Sequence, residues 1–287
     1  MTRPDAAEQT PVLRLGVCGY LGRMGLQTVA AAQDCPDIEL VLGLVTAEEL
    51  AALAPRSPDN EQDVIFATVG GAGPALRERR VDVVVDFSAP AATTALARVC
   101  RAGDRATAVV AACTALGAEE RAALASLSEV AAVVIAPNLS IGANLLFSLA
   151  ASATGAMPPP PATGIEITDI HHRHKRDFPS GTAKQLIRSI AAALGRANED
   201  ILHGDGVAAT AARPAGMRSL RVGEVVGEHR VLFATDVEEV EIVHRVHSRR
   251  AFAEGALRAA RFAATAPPGS YTMADVLAAD VRQPASG

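Results

Sequence analysis

The sequence predicts an α/β protein: a doubly wound parallel sheet, followed by a second, α+β domain built on a mixed or antiparallel sheet. Three observations carry this. Short apolar runs alternate with helical patterns through the first half of the chain, as in sheets covered on both faces. A glycine turn separates the first run from the first helix. Beyond a proline-rich spacer, strand patterns follow one another with few helices between them, which marks a change of architecture.

Residues 12–18 read as the first strand, Gly19-Tyr20-Leu21-Gly22-Arg23-Met24-Gly25 as a turn, and 26–33 as a helix. In such a unit the first glycine permits the tight turn and the second lets backbone approach a pyrophosphate. The helix start supplies amides and a favourable dipole. The spacing here is Gly-x-x-Gly, which by itself leaves a plain turn and a nucleotide site both open; the placement between strand and helix favours the nucleotide. A second strand over 39–45 ends in Thr46-Ala47, where an acidic residue commonly takes ribose hydroxyls, with Glu48 and Glu49 slightly late.

Strands over 63–69, 81–87, 106–112 and 130–136 follow, with helices over 91–101 and 119–128. The strand ends carry Asp86-Phe87-Ser88-Ala89-Pro90, Cys113-Thr114 and Pro137-Asn138-Leu139-Ser140. Each alone reads as an ordinary strand-to-helix turn with a capping residue. Three on one rim, beside the glycine turn, predict a ligand cleft.

A helix over 141–156 and the stiff Met157-Pro158-Pro159-Pro160-Pro161 spacer lead to a strand over 164–170. That strand delivers His171-His172-Arg173-His174-Lys175-Arg176, then Asp177-Phe178-Pro179-Ser180-Gly181-Thr182. Three of the seven histidines and three cations meet here. Such a run repels itself and resists burial, so it suits a place where an anionic substrate neutralises it and a proton is moved; a solvated loop is the alternative. A helix over 182–194 begins at Ser180-Gly181-Thr182, either as an anion site made of amides and dipole or as a plain cap. Strands over 217–226, 228–235 and 238–246 and a helix over 251–264 complete the pattern, with that helix and the tail to Leu277 expected to return to the first domain.

Composition bounds the function. The 287 residues, 49% hydrophobic and 3% aromatic, suffice for one large or two medium domains. A net charge of −5 argues against electrostatically driven nucleic-acid binding. No apolar run reaches the length of a membrane span, and Met1-Thr2-Arg3-Pro4-Asp5 lacks the apolar segment of a secretory signal, so a cytoplasmic protein is expected. Cys18, Cys35, Cys100 and Cys113 show no CxxC spacing and read as buried free thiols; nothing proposes a metal.

Ile165-Glu166-Ile167 followed by His171-His172-Arg173-His174-Lys175-x-Asp177-x-Pro179-Ser180-Gly181-Thr182-Ala183 resembles the signature of the dihydrodipicolinate reductase family. Gly19-x-x-Gly22-Arg23-Met24-Gly25, Asp86-Phe87-Ser88-x-Pro90, Asn138-x-Ser140-x-Gly142-x-Asn144, Val226-Gly227-Glu228-His229 and Ser248-Arg249 accompany it in family order, so the resemblance runs from Leu13 to about Leu277. It implies a Rossmann-like dinucleotide-binding domain over 1–138 and 250–287, and a substrate-binding and oligomerisation domain over 139–249. It also implies a homotetramer, NADPH or NADH as hydride donor, and a small dicarboxylate substrate. The implied reaction reduces dihydrodipicolinate, formed from 4-hydroxy-tetrahydrodipicolinate, to tetrahydrodipicolinate in lysine and diaminopimelate biosynthesis.

By the same resemblance His171 supplies the proton, and Lys175 holds a carboxylate and stabilises developing negative charge. His172, Ser180, Gly181, Thr182 and Thr114 meet the substrate. Gly19, Tyr20, Leu21, Gly22, Arg23, Met24, Phe87, Ala112, Thr114, Pro137 and Asn138 meet the cofactor. Arg173 and His174 are expected to support rather than participate. The chain departs from the family at Ala112-Cys113-Thr114-Ala115, where Gly-Thr-Thr-Gly is usual, at Thr46-Ala47, where an acid is usual, and at Leu139 and Ala89. These departures leave two other readings open: a related enzyme acting on another cyclic imine or amino-acid-derived carboxylate, and a ligand-binding homologue without reductase chemistry.

Overall fold

The computed structural model describes residues 12–53, 64–200, 202–203, 210 and 214–281. In chain order its elements are β1 (Leu13–Cys18), α1 (Arg23–Gln33), β2 (Ile38–Leu44), α2 (Ala47–Ala52), β3 (Ile65–Ala67), α3 (Ala72–Glu78), β4 (Val83–Asp86), α4 (Pro90–Ala102), β5 (Ala108–Ala111), α5 (Ala118–Ser128), β6 (Ala132–Ile135), α6 (Ile141–Ala156), β7 (Gly164–His171), α7 (Gly181–Ala193), β8 (Leu202–His203), β9 (Ala215–Arg221), β10 (Gly227–Ala234), β11 (Glu239–Val246), α8 (Arg250–Thr265), β12 (Gly269–Tyr271) and α9 (Met273–Val281). They form two compact units. Of the described residues, the first holds those up to Ala136 together with Ala256–Thr272, and the second holds those within Pro137–Gly255 and from Met273 to Val281.

The first unit is built on a seven-stranded sheet in the order β12-β6-β5-β4-β1-β2-β3, parallel throughout. Its central strands are apolar on both faces because helices cover both: Leu15, Val17, Val83, Val84, Val85, Val109 and Val110 are fully buried. Chain order reverses between β1 and β4, and there the carboxyl ends of two neighbouring strands diverge into the glycine turn and the Phe87 loop. The doubly wound arrangement expected from the alternating pattern is the one observed.

The second unit carries a five-stranded sheet in the order β11-β10-β7-β9-β8. β10 runs antiparallel to both β7 and β11, while β7, β9 and β8 are parallel, so the sheet is mixed. Ile165, Ile167, Val231 and Phe233 alternate inward and pack against Leu146, Phe147 and Ala150 of α6 and Leu186 and Ile190 of α7. Each of the fully buried leucines contributes roughly 1.5–3 kcal/mol relative to an exposed one.

Several boundaries differ from the sequence reading, each for a physical reason. α1 begins at Arg23, because Gly22 is its extended N-cap and the last glycine already lies in the first turn. Thr46 opens the short α2 by a capping box with Glu49. α3 is hidden behind Gly70-Gly71-Ala72-Gly73-Pro74, with its proline in the first turn, where no amide bond is lost. β9 stops at Arg221 and turns at Gly223, whose φ is +53. The tail forms β12, which joins the first sheet beside β6, and α9, which packs on α6 in the second unit. All four cysteines are free thiols; three are buried and Cys35 is half-buried. No described helix is long and apolar enough to cross a membrane.

Gly25 fixes the approach of α1 to the glycine turn. A Cβ there would meet the carbonyl oxygens of Gly19 at 2.2 Å and Tyr20 at 2.4 Å, and backbone cannot yield as a side chain can. Gly25→Ala should therefore lower stability by at least about 1–3 kcal/mol in urea denaturation; an unchanged midpoint would show that the helix start is free to move.

Candidate functional site

The first unit presents a cradle of backbone. Gly19 adopts φ +76, a conformation open to glycine, and a Cβ on it would lie 3.3 Å from the Phe87 carbonyl. The Gly22 amide closes the turn on the Gly19 carbonyl at 3.0 Å. Gly22 offers no side-chain cap, so the first-turn amides of α1 keep their capacity to bind an anion. Leu21, Arg23 and Met24 lie at least partly exposed around this turn. Tyr20 differs: the residue is buried and its ring stands edge-on to Phe66 at 5.0 Å, so its backbone is the part that can face a ligand.

The neighbouring loops are held from within. The buried Asp86 carboxylate accepts the Ser88 amide at 2.9 Å and the Thr93 hydroxyl at 2.6 Å, which shapes the Phe87 turn. In the Ala112-Cys113-Thr114-Ala115 loop, Cys113 is buried and Thr114 exposed. Neither alanine takes positive φ; Arg80 is the one described non-glycine residue that does. Alanine thus stands in this loop without backbone strain. Thr46 and Glu49 are committed to their capping box, where the Thr46 amide donates to Glu49 at 2.8 Å. A cavity of about 610 Å³ lined by Leu76, Arg77, Val81, Val99, Cys100 and Thr107 lies at the opposite ends of these strands, away from the glycine turn.

In the second unit the histidine cluster begins on β7 and turns into α7. The organising group is Asp169, whose carboxylate has no solvent exposure. Its Oδ2 accepts the Ser180 amide at 3.1 Å, the Ser219 hydroxyl at 3.1 Å and the Arg221 guanidinium at 3.3 Å. Its Oδ1 lies 3.1 Å from His171 Nε2 and 3.3 Å from His229 Nε2. These are charge contacts: neither Oδ1 nor His171 Nε2 has an aligned hydrogen bond. His171 Nδ1 meets the Val226 carbonyl at 3.0 Å. Burial alone would raise the Asp169 pKa, but His171, His229 and Ser180 outweigh it and hold the carboxyl well below the usual range.

Imidazoles continue across the sheet. His229 stands edge-on to His171 at 5.3 Å and stacks on His244 at 6.0 Å. Each of the latter two meets a helix cap: Ser180 lies 3.3 Å from His229 and Ser140 lies 3.3 Å from His244. Asp169, His171 and His229 each place one ligand atom within 4.8 Å of the others, close enough in principle for a metal ion. The ion pairs and the Arg221 contact account for that spacing.

The candidate residues separate by role in this geometry. Ser180 is 2% exposed and fully engaged, its amide on Asp169 and its hydroxyl accepting the Ala183 amide at 3.1 Å; it is the cap of α7. The first-turn amides of Gly181 and Thr182 have no partner among the described residues. Asn138 donates to the Thr182 hydroxyl at 3.0 Å and accepts the Ser140 amide at 2.9 Å, so its side chain braces the start of α7. Pro137 beside it is exposed. Lys175 pairs with Asp177 at 2.8 Å, and Arg221 holds the Asp177 carbonyl at 2.6 Å. His172 is half-buried, while Arg173 and His174 point to Glu224 on the surface.

Sequence reasoning missed Asp169, Arg221, His229, His244 and Ser140 as members of this network. A signal existed for two of them. Asp169 continues the inward alternation of Ile165 and Ile167, and His229 that of Val231 and Phe233, so each is a polar group at a core position.

Known proteins are similar to this chain in sequence and in fold. The family model for the dihydrodipicolinate reductase N-terminus matches residues 13–139, and that for its C-terminus matches 142–277. A 4-hydroxy-tetrahydrodipicolinate reductase of Rubrobacter xylanophilus is 41% identical over 272 residues, covering 93% of this chain and 98% of the relative. One from Myxococcus xanthus is 39% identical over 278 residues, with coverage of 93% and 98%. The solved structure of dipicolinate-bound dihydrodipicolinate reductase from Paenisporosarcina sp. TG-14 superposes with a TM-score of 0.73 at 21% identity, over 91% of this chain and 97% of that one, which shows the shared fold.

Burial holds the pKa values of His229 and His244 below that of an exposed imidazole, with Asp169 partly offsetting this for His229. A base whose folded pKa is depressed favours the fold fully above its unfolded pKa, and that advantage is lost as pH falls toward the folded value. The urea midpoint should therefore fall as pH is lowered from about 7 to about 5, and His244→Gln should flatten the fall. An identical slope in the variant would show that His244 does not titrate against the fold.

Proposed function

The chain belongs to the dihydrodipicolinate reductase family, and we propose that it reduces dihydrodipicolinate, formed from 4-hydroxy-tetrahydrodipicolinate, to tetrahydrodipicolinate in lysine and diaminopimelate biosynthesis. The observation that carries this for the chain itself is one local arrangement: His171, Lys175 and the free amides of Gly181 and Thr182 gather where β7 turns into α7. An imidazole, an ammonium and a helix start are what a dicarboxylate that must gain a proton requires.

The glycine turn fits NADH or NADPH, since its φ +76 glycine and its uncapped helix start leave backbone amides for a pyrophosphate. When bound, the nicotinamide supplies the hydride that the substrate accepts at C4. Gly19, Gly22, Arg23 and Met24 hold the dinucleotide, with Leu21, the Tyr20 backbone, Phe87, Ala112, Thr114, Pro137 and Asn138 assigned to the same task. On this reading residues 1–138 and 250–287 serve the cofactor, and residues 139–249 serve the substrate and oligomerisation.

Lys175 exchanges Asp177 for a substrate carboxylate and keeps a positive charge where negative charge develops. Gly181 and Thr182 donate to the carboxylates with His172 and Thr114, and Ser180 sets the helix start in place. His171 delivers the proton to the carbon beside C4. Its Nδ1 is tied to the Val226 carbonyl, so Nε2, which is covered by protein beside Asp169, is the nitrogen that releases the proton.

The reading includes a homotetramer in the cytoplasm. In support of assembly, the outer face of the second sheet carries cross-strand pairs Glu166–Arg218, Glu228–Arg245 and Arg230–Glu241 beside the exposed Leu220, a mixture suited to a protein interface. In support of the compartment, all four thiols are free.

The test uses substrate formed by condensing pyruvate with aspartate semialdehyde and follows nicotinamide absorbance with each cofactor. His171→Ala should lower kcat by about 10²–10⁴-fold and leave calorimetric cofactor affinity unchanged, whereas Lys175→Ala should raise KM and lower kcat together. No oxidation of either cofactor by the unaltered protein, or unaltered kinetics in both variants, would overturn the assignment.

A further inference from the structure

Asp169 is a buried charge two residues from the proposed proton donor, and the reaction as derived above gives it no part. Its oxygens divide the work. Oδ2 is saturated by the Ser180 amide, the Ser219 hydroxyl and the Arg221 guanidinium. Oδ1 faces the two imidazole nitrogens and has no aligned hydrogen bond. A buried carboxylate oxygen without a donor is unfavourable unless positive charge stands beside it.

The tautomer of His171 follows from its other nitrogen. Nδ1 faces the carbonyl oxygen of Val226, which can only accept, so Nδ1 carries a hydrogen. A neutral ring would then hold its Nε2 lone pair 3.1 Å from a carboxylate oxygen, which is repulsive, whereas the doubly protonated ring sets positive charge beside that oxygen. Both contacts therefore select the form that a proton donor must have before it acts, and Arg221 on the far oxygen opposes protonation of the carboxylate itself.

We infer that Asp169 is the positioning residue of this site: it holds His171 as an imidazolium at the end of β7 and, through the Ser180 amide, fixes the start of α7 beside it. This rests on the assignment of His171 as proton donor. The other charged and titratable groups around that ring are His229 from β10, Arg221 from β9, and Lys175 and Asp177 from the turn before α7. Asp169 is the carboxylate among them at ion-pair distance from the ring.

Asp169→Asn separates the two tasks, because an amide oxygen still accepts from Ser180 and Ser219 but carries no charge. It should lower kcat at least about tenfold, keep KM within about threefold, and move the alkaline fall of the kcat–pH profile to lower pH. In a His171→Gln background the same change should add nothing. Arg221→Gln keeps the carboxylate and removes a cation, so it should move that alkaline limb to higher pH; this variant carries the test if Asp169→Asn does not fold. Wild-type kcat and pH profile in Asp169→Asn, an equal loss in the His171→Gln background, or an unmoved limb in Arg221→Gln overturns the inference. Full activity of His171→Gln overturns the donor assignment itself, and this inference with it.

Discussion

One buried carboxylate sets the terms for the second unit. Asp169 sits with no solvent exposure at the end of an otherwise apolar face of β7, and a charge in that position must be surrounded by donors and cations or be lost. Its partners come from every neighbouring element: Ser219 and Arg221 from β9, His229 from β10, His171 from β7 itself, and the Ser180 amide at the start of α7. The sheet register makes this possible, since Asp169 pairs with Ser219 on one side and His229 on the other. A second layer repeats the theme at Ser140 and His244, where the cap of α6 meets the next imidazole in the stack. The turn from His172 to Pro179 is thus anchored at both ends, which is why so strongly charged a segment holds one shape.

The first unit depends on close backbone approach. Gly25 has no room for a Cβ under the glycine turn, and Gly43 lies against the rings of Tyr20 and Phe66. No side chain caps the first-turn amides of α1. The Ala112 to Ala115 loop departs from the family's glycines, yet its alanines lie outside the left-handed region, so the substitution changes side-chain volume and leaves the backbone unstrained. The missing acid after β2 has a local explanation too: Thr46 is used to start a helix, and Glu49 completes its cap.

The parts of the molecule with local signals were legible. β1 and the strands to β6 are apolar runs bounded by turn residues, and the histidine cluster is contiguous in the chain. Gly70-Gly71-Ala72-Gly73-Pro74 hid α3 because helix propensity is poor there and packing of Ala72, Ala75 and Leu76 decides the outcome. β12 is three residues long, too short for a period to show. Asp169, His229 and His244 come from three strands, and only the sheet register brings them together. Asp169 and His229 leave a trace in the sequence as polar residues that interrupt an inward apolar series, and His244 leaves none. Ser180 was readable as a cap or as a ligand-binding group, and the engagement of both its amide and its hydroxyl assigns it to the cap.

The claim that this fold carries out a nicotinamide-dependent reduction is tested most directly by following the transferred hydrogen. Cofactor deuterated at C4 of the nicotinamide, incubated with the protein and the condensation product of pyruvate and aspartate semialdehyde, should yield tetrahydrodipicolinate with one deuterium at C4, read by mass spectrometry and NMR. Product formed without the label, or no product with either cofactor, would contradict the account.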